Sequence, residues 1–399
     1  MGQKNTSPSE VSPVHASTGN NSRLFFIDHL RAALVILVVL HHVALVYGAS
    51  VEGYYYIEPP FTDPQAFLVL LVFALVNQAW FMGAFFLLAG YFTPGSYDRK
   101  GPGPYLKDRL IRLGVPLVLF IFVLNPISRI GWWLMPPSLT GITTPLTWDA
   151  YPRLLGFGPL WFVAILLVFC FGYAAWRMLT KNQTSASMMK SPPPGYLGIG
   201  IFILALAVVS YLVRIVIPIG KAVFEFPTLA YLPQYLGFFV LGTVAHRQNW
   251  FRNLPGSMGV VGFALAVVAG VFLFPLAFSG QMFTLVVGPA LDNAMGSGQW
   301  QSAVYALWDS IFAVGMCLAL IPLFRRFFNG QGRFGRVLSQ HSYAVFVFHI
   351  PVVVVVAYVL RGIALESLLK FTLASVIAVP ASFVVAYVVR KIPLASRVL

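Results

Sequence analysis

Charge is scarce in this chain. Only 10% of its 399 residues are Asp, Glu, Lys or Arg, against 58% hydrophobic, whereas soluble domains carry nearer a quarter charged. That shortage excludes a soluble enzyme. Acidic residues are scarcer still, 12 against 26 Lys and Arg, for a formal net charge of +14. Cysteine is almost absent. Cys170 and Cys317 both lie in apolar runs, so neither a disulfide framework nor a cysteine-based metal site follows, and no metal is expected. There is no Walker loop, no HExxH and no GxSxG elbow, so a serine-type hydrolase is not supported. No internal repeat is visible.

What remains is apolar sequence of membrane length. Ten segments, near 27–48, 66–92, 111–134, 158–178, 197–218, 229–246, 257–278, 303–324, 341–360 and 368–389, each come close to spanning a bilayer. The sixth is short. The fold predicted is an all-α polytopic membrane protein of about ten transmembrane helices. Residues 1–22 are polar, rich in Ser, Asn and Pro, and read as a disordered tail. The first apolar run starts too late and runs too long for a signal peptide. Residues 23–399 then form one membrane domain, and no hydrolase-like domain is expected after the last helix.

Loop charges give an orientation. One set of loops holds Arg99, Lys100, Lys107, Arg109 and Arg112, then Arg177, Lys181 and Lys190, then Arg247 and Arg252, then Arg325, Arg326, Arg333 and Arg336. Both termini share this bias, with Lys4 and Arg23 at one and Arg390, Lys391 and Arg397 at the other. The alternate loops hold only Arg153, Lys221 and Arg361 among Glu52, Glu58, Asp63, Asp149, Glu225, Asp292 and Glu366. The positive-inside rule puts both termini and the basic loops in the cytoplasm. The +14 is thereby topology, and a nucleic-acid partner is not expected.

The first segment, FFIDHLRAALVILVVLHHVALVY, carries Asp28, Arg31, His41 and His42. Ionisable groups within a bilayer are costly and mark functional sites. Arg31 and His42 are eleven positions apart, almost three helical turns, so they share a face roughly 16 Å apart along the axis, while His41 turns off it by about 100°. His42 reads either as a packing histidine or as a general acid–base group. Arg31 reads either as a snorkelling residue paired with Asp28 or as an anion contact with a planar fork of donors.

Three further blocks hold candidates. FFLLAGYFTPGSYDRKGPGPYLKDRLIRLGVP closes the second segment and opens the third. Its Arg109 and Arg112, three apart, are expected to face roughly alike, toward lipid headgroups or toward the phosphates of a nucleotide-like donor. GPLWFVAILL contains Trp161, an interfacial aromatic on its own terms. SYAVFVFHIPVV contains His349 beside Pro351, where a structural histidine serving a proline kink weighs at least as much as a catalytic one. Arg129, Arg214 and Asp309 are further intramembrane ionisable groups, and no sequence rule pairs them.

Arg31 and His42 with IDHLRA, FFLLAGY with KDRLIRLGVP, LWF, and SYAVFVFHIP together resemble the membrane acyltransferase-3 family, in order and spacing, from about residue 24 onward. HHVALVYG and FFLLAGYFTP resemble most the branch that contains periplasmic glucan succinyltransferases. One departure is that many members have Ser-Gly where this chain has Ala89-Gly90. The resemblance implies an O-acyltransferase of the cytoplasmic (inner) membrane. It would move an acetyl or succinyl group from cytoplasmic acyl-CoA to a hydroxyl of an extracytoplasmic glycan. Acyl-CoA is a donor substrate, and no permanently bound cofactor is expected. Arg31, Arg109 and Arg112 would hold its phosphates and His42 would act as base, supported by Arg31 and Asp28. Trp161, Asp309 and His349 would line the substrate cavity. His349→Ala is expected to act through stability or not at all. Direct transfer and an acyl-histidine intermediate are both open. The competing class is a secondary transporter or exporter of a glycan or lipid-linked sugar. The lack of a repeat and the Arg–His stripe weigh against it.

Overall fold

The computed structural model describes residues 24–49, 63–180, 191–223, 226, 229–281, 288–296, 298–330 and 332–399. The tail 1–22 and the loop residues Glu52, Glu58, Lys181, Lys190 and Glu225 lie outside the described residues. Within them the chain is all-α, as the composition requires. The long helices are α1 (Phe25–Ala44), α2 (Pro64–Gln78), α3 (Phe81–Lys100), α4 (Pro102–Trp133), α5 (Trp161–Leu179), α6 (Tyr196–Val216), α7 (Leu232–Gln248), α8 (Gly256–Ala277), α9 (Trp300–Phe327), α10 (Arg333–Leu360) and α11 (Ser367–Val389). Among the described residues nine spans are long and apolar enough to cross a membrane, with α2 and α3 forming one of them. The short sixth segment is α7. Its 17 residues make about 26 Å of helix, slightly less than a hydrocarbon core.

The second expected segment is not one straight helix. Pro64 to Lys100 is 37 residues, about 55 Å if unbroken, far more than the bilayer's apolar depth. The chain breaks at Ala79–Trp80. A carbonyl freed inside a membrane must be satisfied by protein, and the Gln234 side chain of α7 donates to Ala79 O at 2.7 Å. At the other end Asp63 caps α2, accepting from the backbone N–H of Gln65 and Ala66.

The same accounting explains α4. Pro116 and Pro126 lack an N–H, so the carbonyls four residues earlier, on Arg112 and Phe122, lose their helical donors. The helix widens to π-turns just before each proline. Two tyrosines supply the missing donors. Tyr343 Oη donates to Arg112 O at 2.8 Å, and Tyr151 Oη to Phe122 O at 2.7 Å.

α1 lies at the centre of the bundle, packed on α2, α3, α9, α10 and α11. Some 61% of its apolar window is buried, against 28% for α6 and α8 and 22% for α11, so these last three face lipid. Contacts gather the basic helix ends at one end of the bundle. His29 of α1 bonds Phe328 O beyond α9. Arg325 donates to the carbonyls of Phe251, Arg252 and Leu254 after α7, and Arg390 bonds Gln340 O.

α3 and α7 cross with backbone against backbone. A Cβ on Gly90 would collide with Phe239 O, and one on Gly242 with Leu87 O. Small residues at such crossings are what dispersion-driven packing in lipid demands. This gives Gly90 a packing role that needs no hydroxyl beside it. Gly90→Val and Gly242→Val are therefore expected to abolish the monodisperse folded peak of detergent-extracted protein in size-exclusion chromatography. Gly103→Ala, with nothing within 4 Å of the added Cβ, should leave that peak unchanged.

Candidate active site

The site follows from how α1 meets α10. Arg31 Nη2 donates to Ser339 O at 3.3 Å, and eleven residues along α1 the His42 ring meets His349. The separations in sequence, 308 and 307 residues, are almost equal. The two helices therefore run parallel and in register, and the Arg31–His42 stripe is the seam between them.

At one end of the seam Arg31 Nη2 also pairs with Asp28 Oδ1 at 3.0 Å. Asp28 is buried and Arg31 half-buried, so the carboxylate holds the guanidinium in place while part of it stays accessible. Arg109 approaches the same stretch of α10. It lies close enough to interact electrostatically with Tyr343, one turn beyond Ser339. Its guanidinium sits over the Tyr105 ring, 5.1 Å from the centroid, and its buried Nε has no hydrogen-bond partner. Arg112 does not join it. Its Nε is 3.1 Å from Asp108 Oδ1, and its side chain is 58% exposed. The expectation that Arg109 and Arg112 face alike fails because the π-turn at Leu110–Gly114, forced by Pro116, rotates the register between them.

At the other end His42 and His349 form a pair. His42 Nδ1 lies 2.7 Å from Val38 O, and His349 Nδ1 lies 2.8 Å from Phe346 O. A carbonyl only accepts, so both Nδ1 atoms carry the proton in the neutral rings. His349 Nε2 is then a bare acceptor, and it lies 3.2 Å from His42 Nδ1. The His42 Nδ1–H is shared between Val38 O and His349 Nε2. Both sequence readings of His349 find a contact here. It does bond its own helix, but its second nitrogen is aimed at His42. His41 is buried and packs on Phe81 with ring centroids 5.1 Å apart, off the seam as the helical geometry requires.

The other sequence blocks close around this pair. Phe85 of α3 and Phe162 of α5 both meet Phe346, at 6.1 and 5.7 Å between centroids, and the Phe346 ring is 5.9 Å from His349. Trp161 does not present its ring on the outer surface of the bundle. It is buried and stacks on Tyr235 at 5.4 Å. Asp309 is not brought to the seam. It pairs with Arg214 at 2.5 Å, both fully buried, and Tyr231 and Tyr305 flank the guanidinium. That cluster ties α6 to α9, where an unpaired charge would be prohibitive. Arg129 donates to the carbonyls of Arg153 and Leu155, each at 3.0 Å, and caps a loop. Tyr343 is the participant that sequence reasoning missed, although a proline four residues after Arg112 was its signal.

A family model for the acyltransferase-3 domain, described as an acyltransferase domain, matches residues 24–390. The chain is 26% identical over 267 residues to a glucans biosynthesis protein C of Shigella dysenteriae serotype 1, covering 62% of this chain and 65% of that protein. It is 24% identical over 345 residues to one of Salmonella heidelberg, with 82% of each covered. The Shigella match spans slightly less than two thirds of that protein. No solved structure matches.

Tyr343→Phe removes the donor to Arg112 O and leaves a carbonyl unsatisfied. A loss of about 1–3 kcal/mol is expected, read as a lower unfolding midpoint of the detergent-solubilised protein. Tyr387→Phe, on an exposed face of α11, should leave the midpoint unchanged.

Proposed function

The chain belongs to the acyltransferase-3 family and is an integral-membrane acyltransferase, and from that premise we propose that it moves an acetyl or succinyl group from cytoplasmic acyl-CoA to a hydroxyl of an extracytoplasmic carbohydrate. The observation that carries the proposal is the α1–α10 seam, with Arg31 at one end and the His42–His349 pair at the other. The relatives named for glucan biosynthesis support a glycan acceptor. The basic loops at the Arg31 end support that end, and both termini, facing the cytoplasm of an inner membrane.

In this mechanism Arg31 and Arg109 hold the donor's phosphates, with Arg31 steadied by Asp28. Arg112, turned away onto Asp108, serves only the long-range field of that surface. The thioester arm runs along the seam, roughly 16 Å, to His42. His42 Nε2 takes the proton of the acceptor hydroxyl as its oxygen attacks the thioester carbonyl. The tetrahedral intermediate collapses, the C–S bond breaks, and the proton passes to the departing CoA thiolate. While His42 carries the extra proton, its Nδ1–H bond to His349 Nε2 strengthens, which is the service a carboxylate renders in a hydrolase triad.

Removing a general base costs about 10²–10⁴-fold in rate. His42→Ala is expected to lose that much in a radiolabel transfer assay from acyl-CoA to glycan in vesicles, with donor binding kept. His349→Ala should lose part of the rate with folding intact, and His41→Ala should stay near the wild type. Arg31→Lys keeps the charge but loses the fork, so KM for acyl-CoA should rise. Near wild-type turnover in His42→Ala would sink the mechanism. Transport of unmodified glycan, with no label transferred, would establish the transporter class instead.

A further inference from the structure

Arg177 and Arg247 entered the sequence analysis only as topology signals, yet the structure builds something around them. α3, α5 and α7 end together at the Arg31 end of the bundle, and all three helix ends contribute. Asp98 Oδ1 lies 3.5 Å from Arg177 Nη2, and Asp98 Oδ2 lies 3.3 Å from Arg247 Nη2. Arg247 also donates to Tyr173 Oη at 3.0 Å, and the Arg177 guanidinium lies over the Tyr97 ring at 5.6 Å.

Two features are unusual for a surface ion pair. First, one carboxylate serves two guanidinium groups, so the cluster keeps a net positive charge. Second, the Arg177 side chain is only 14% exposed, and its Nε and Nη1 are buried with no hydrogen-bond partner. A guanidinium has five donors, and buried donors left unmatched cost free energy. Asp98, by contrast, is 43% exposed and can swing into solvent at little cost. The arrangement is a fork of donors whose present anion is easily displaced.

The cluster is also continuous with the donor site. Tyr97 packs on Tyr105 at 5.4 Å between centroids, and Tyr105 is the ring under Arg109. Two tyrosine rings therefore separate Arg109 from Arg177. In coenzyme A the pyrophosphate and the 3′-phosphate are one ribose apart, and a phosphate monoester dianion is the ligand best matched to a double-arginine fork.

We propose that Arg177 and Arg247, with Asp98 as the anion that yields its place, form a second anion site that takes the 3′-phosphate of the donor's adenosine nucleotide. The site rests on the acyl-CoA reading above and extends it. It distinguishes coenzyme A from its 3′-dephospho form and from pantetheine thioesters.

The test is equilibrium binding of CoA and of 3′-dephospho-CoA to the full-length protein in nanodiscs of neutral phosphatidylcholine. CoA is expected to bind about ten- to a hundredfold more tightly, the range of one or two charge-assisted hydrogen bonds. Arg177→Gln should erase the difference by weakening CoA and leaving dephospho-CoA unchanged. Asp98→Asn removes the competing anion and should tighten CoA alone, a gain that a misfolded variant does not produce. Equal affinity for both ligands in the wild type overturns the second site and leaves the acyl-CoA reading standing. So does an Asp98→Asn effect confined to tighter association with anionic-lipid vesicles, which assigns the arginines to lipid headgroups. Binding of neither ligand overturns the donor reading itself.

Discussion

Polar atoms inside a hydrocarbon slab have no water to fall back on, and that constraint organises this protein. Several places where the backbone departs from regular helix are met by a side chain from elsewhere. The break at Ala79 is met by Gln234, the prolines of α4 by Tyr343 and Tyr151, and the loop beyond α4 by Arg129. The Gln234 and Tyr343 bonds run between helices far apart in sequence, so they fix tertiary arrangement as well as satisfying the backbone. The paired histidines obey the same constraint. Val38 O and Phe346 O fix both tautomers, and the histidine pair is oriented before any substrate arrives.

Much of this was legible beforehand. Membrane-length runs and the eleven-residue spacing of Arg31 and His42 follow from helix geometry, and the short α7 was recognisable as the weak span. The packing of His41 away from the seam followed from its position one residue earlier. What stayed hidden depended on partners or on departures from ideal helix. The Arg109–Arg112 pair was misread because three-residue spacing assumes 3.6 residues per turn, and Pro116 makes that turn a π-turn. His349 was left between a structural and a catalytic reading because helix periodicity within α10 says nothing of which helix it faces. Residue type alone did not give the partner of Trp161, whose ring stacks on Tyr235. The Arg214–Asp309 pair joins residues 95 apart, which no local pattern reveals.

The separation of roles is also physical. Arg214 and Asp309 are charges matched to one another with no exposed surface, and they hold two helices. Arg31 and Arg109 are partly accessible, and Arg109 keeps an unused donor. Accessibility, not spare donors, separates the two pairs, since Nε and Nη1 of the buried Arg214 also lack hydrogen-bond partners.

The contact of Gly90 with Gly242 has a kinematic consequence. Main chain touches main chain there, so α3 and α7 can neither slide nor roll past one another without driving a Cα into a carbonyl. Side-chain contacts elsewhere can rearrange by changing rotamers, but this one has no rotamers to change. The two helices therefore constitute a single mechanical member. Asp98 rides on α3 and Arg247 on α7, so the distance between them is set at a crossing two turns away. The helix backbones that carry Asp98 and Arg247 are thereby held at a fixed spacing, and it is the Asp98 side chain that must move to yield its place.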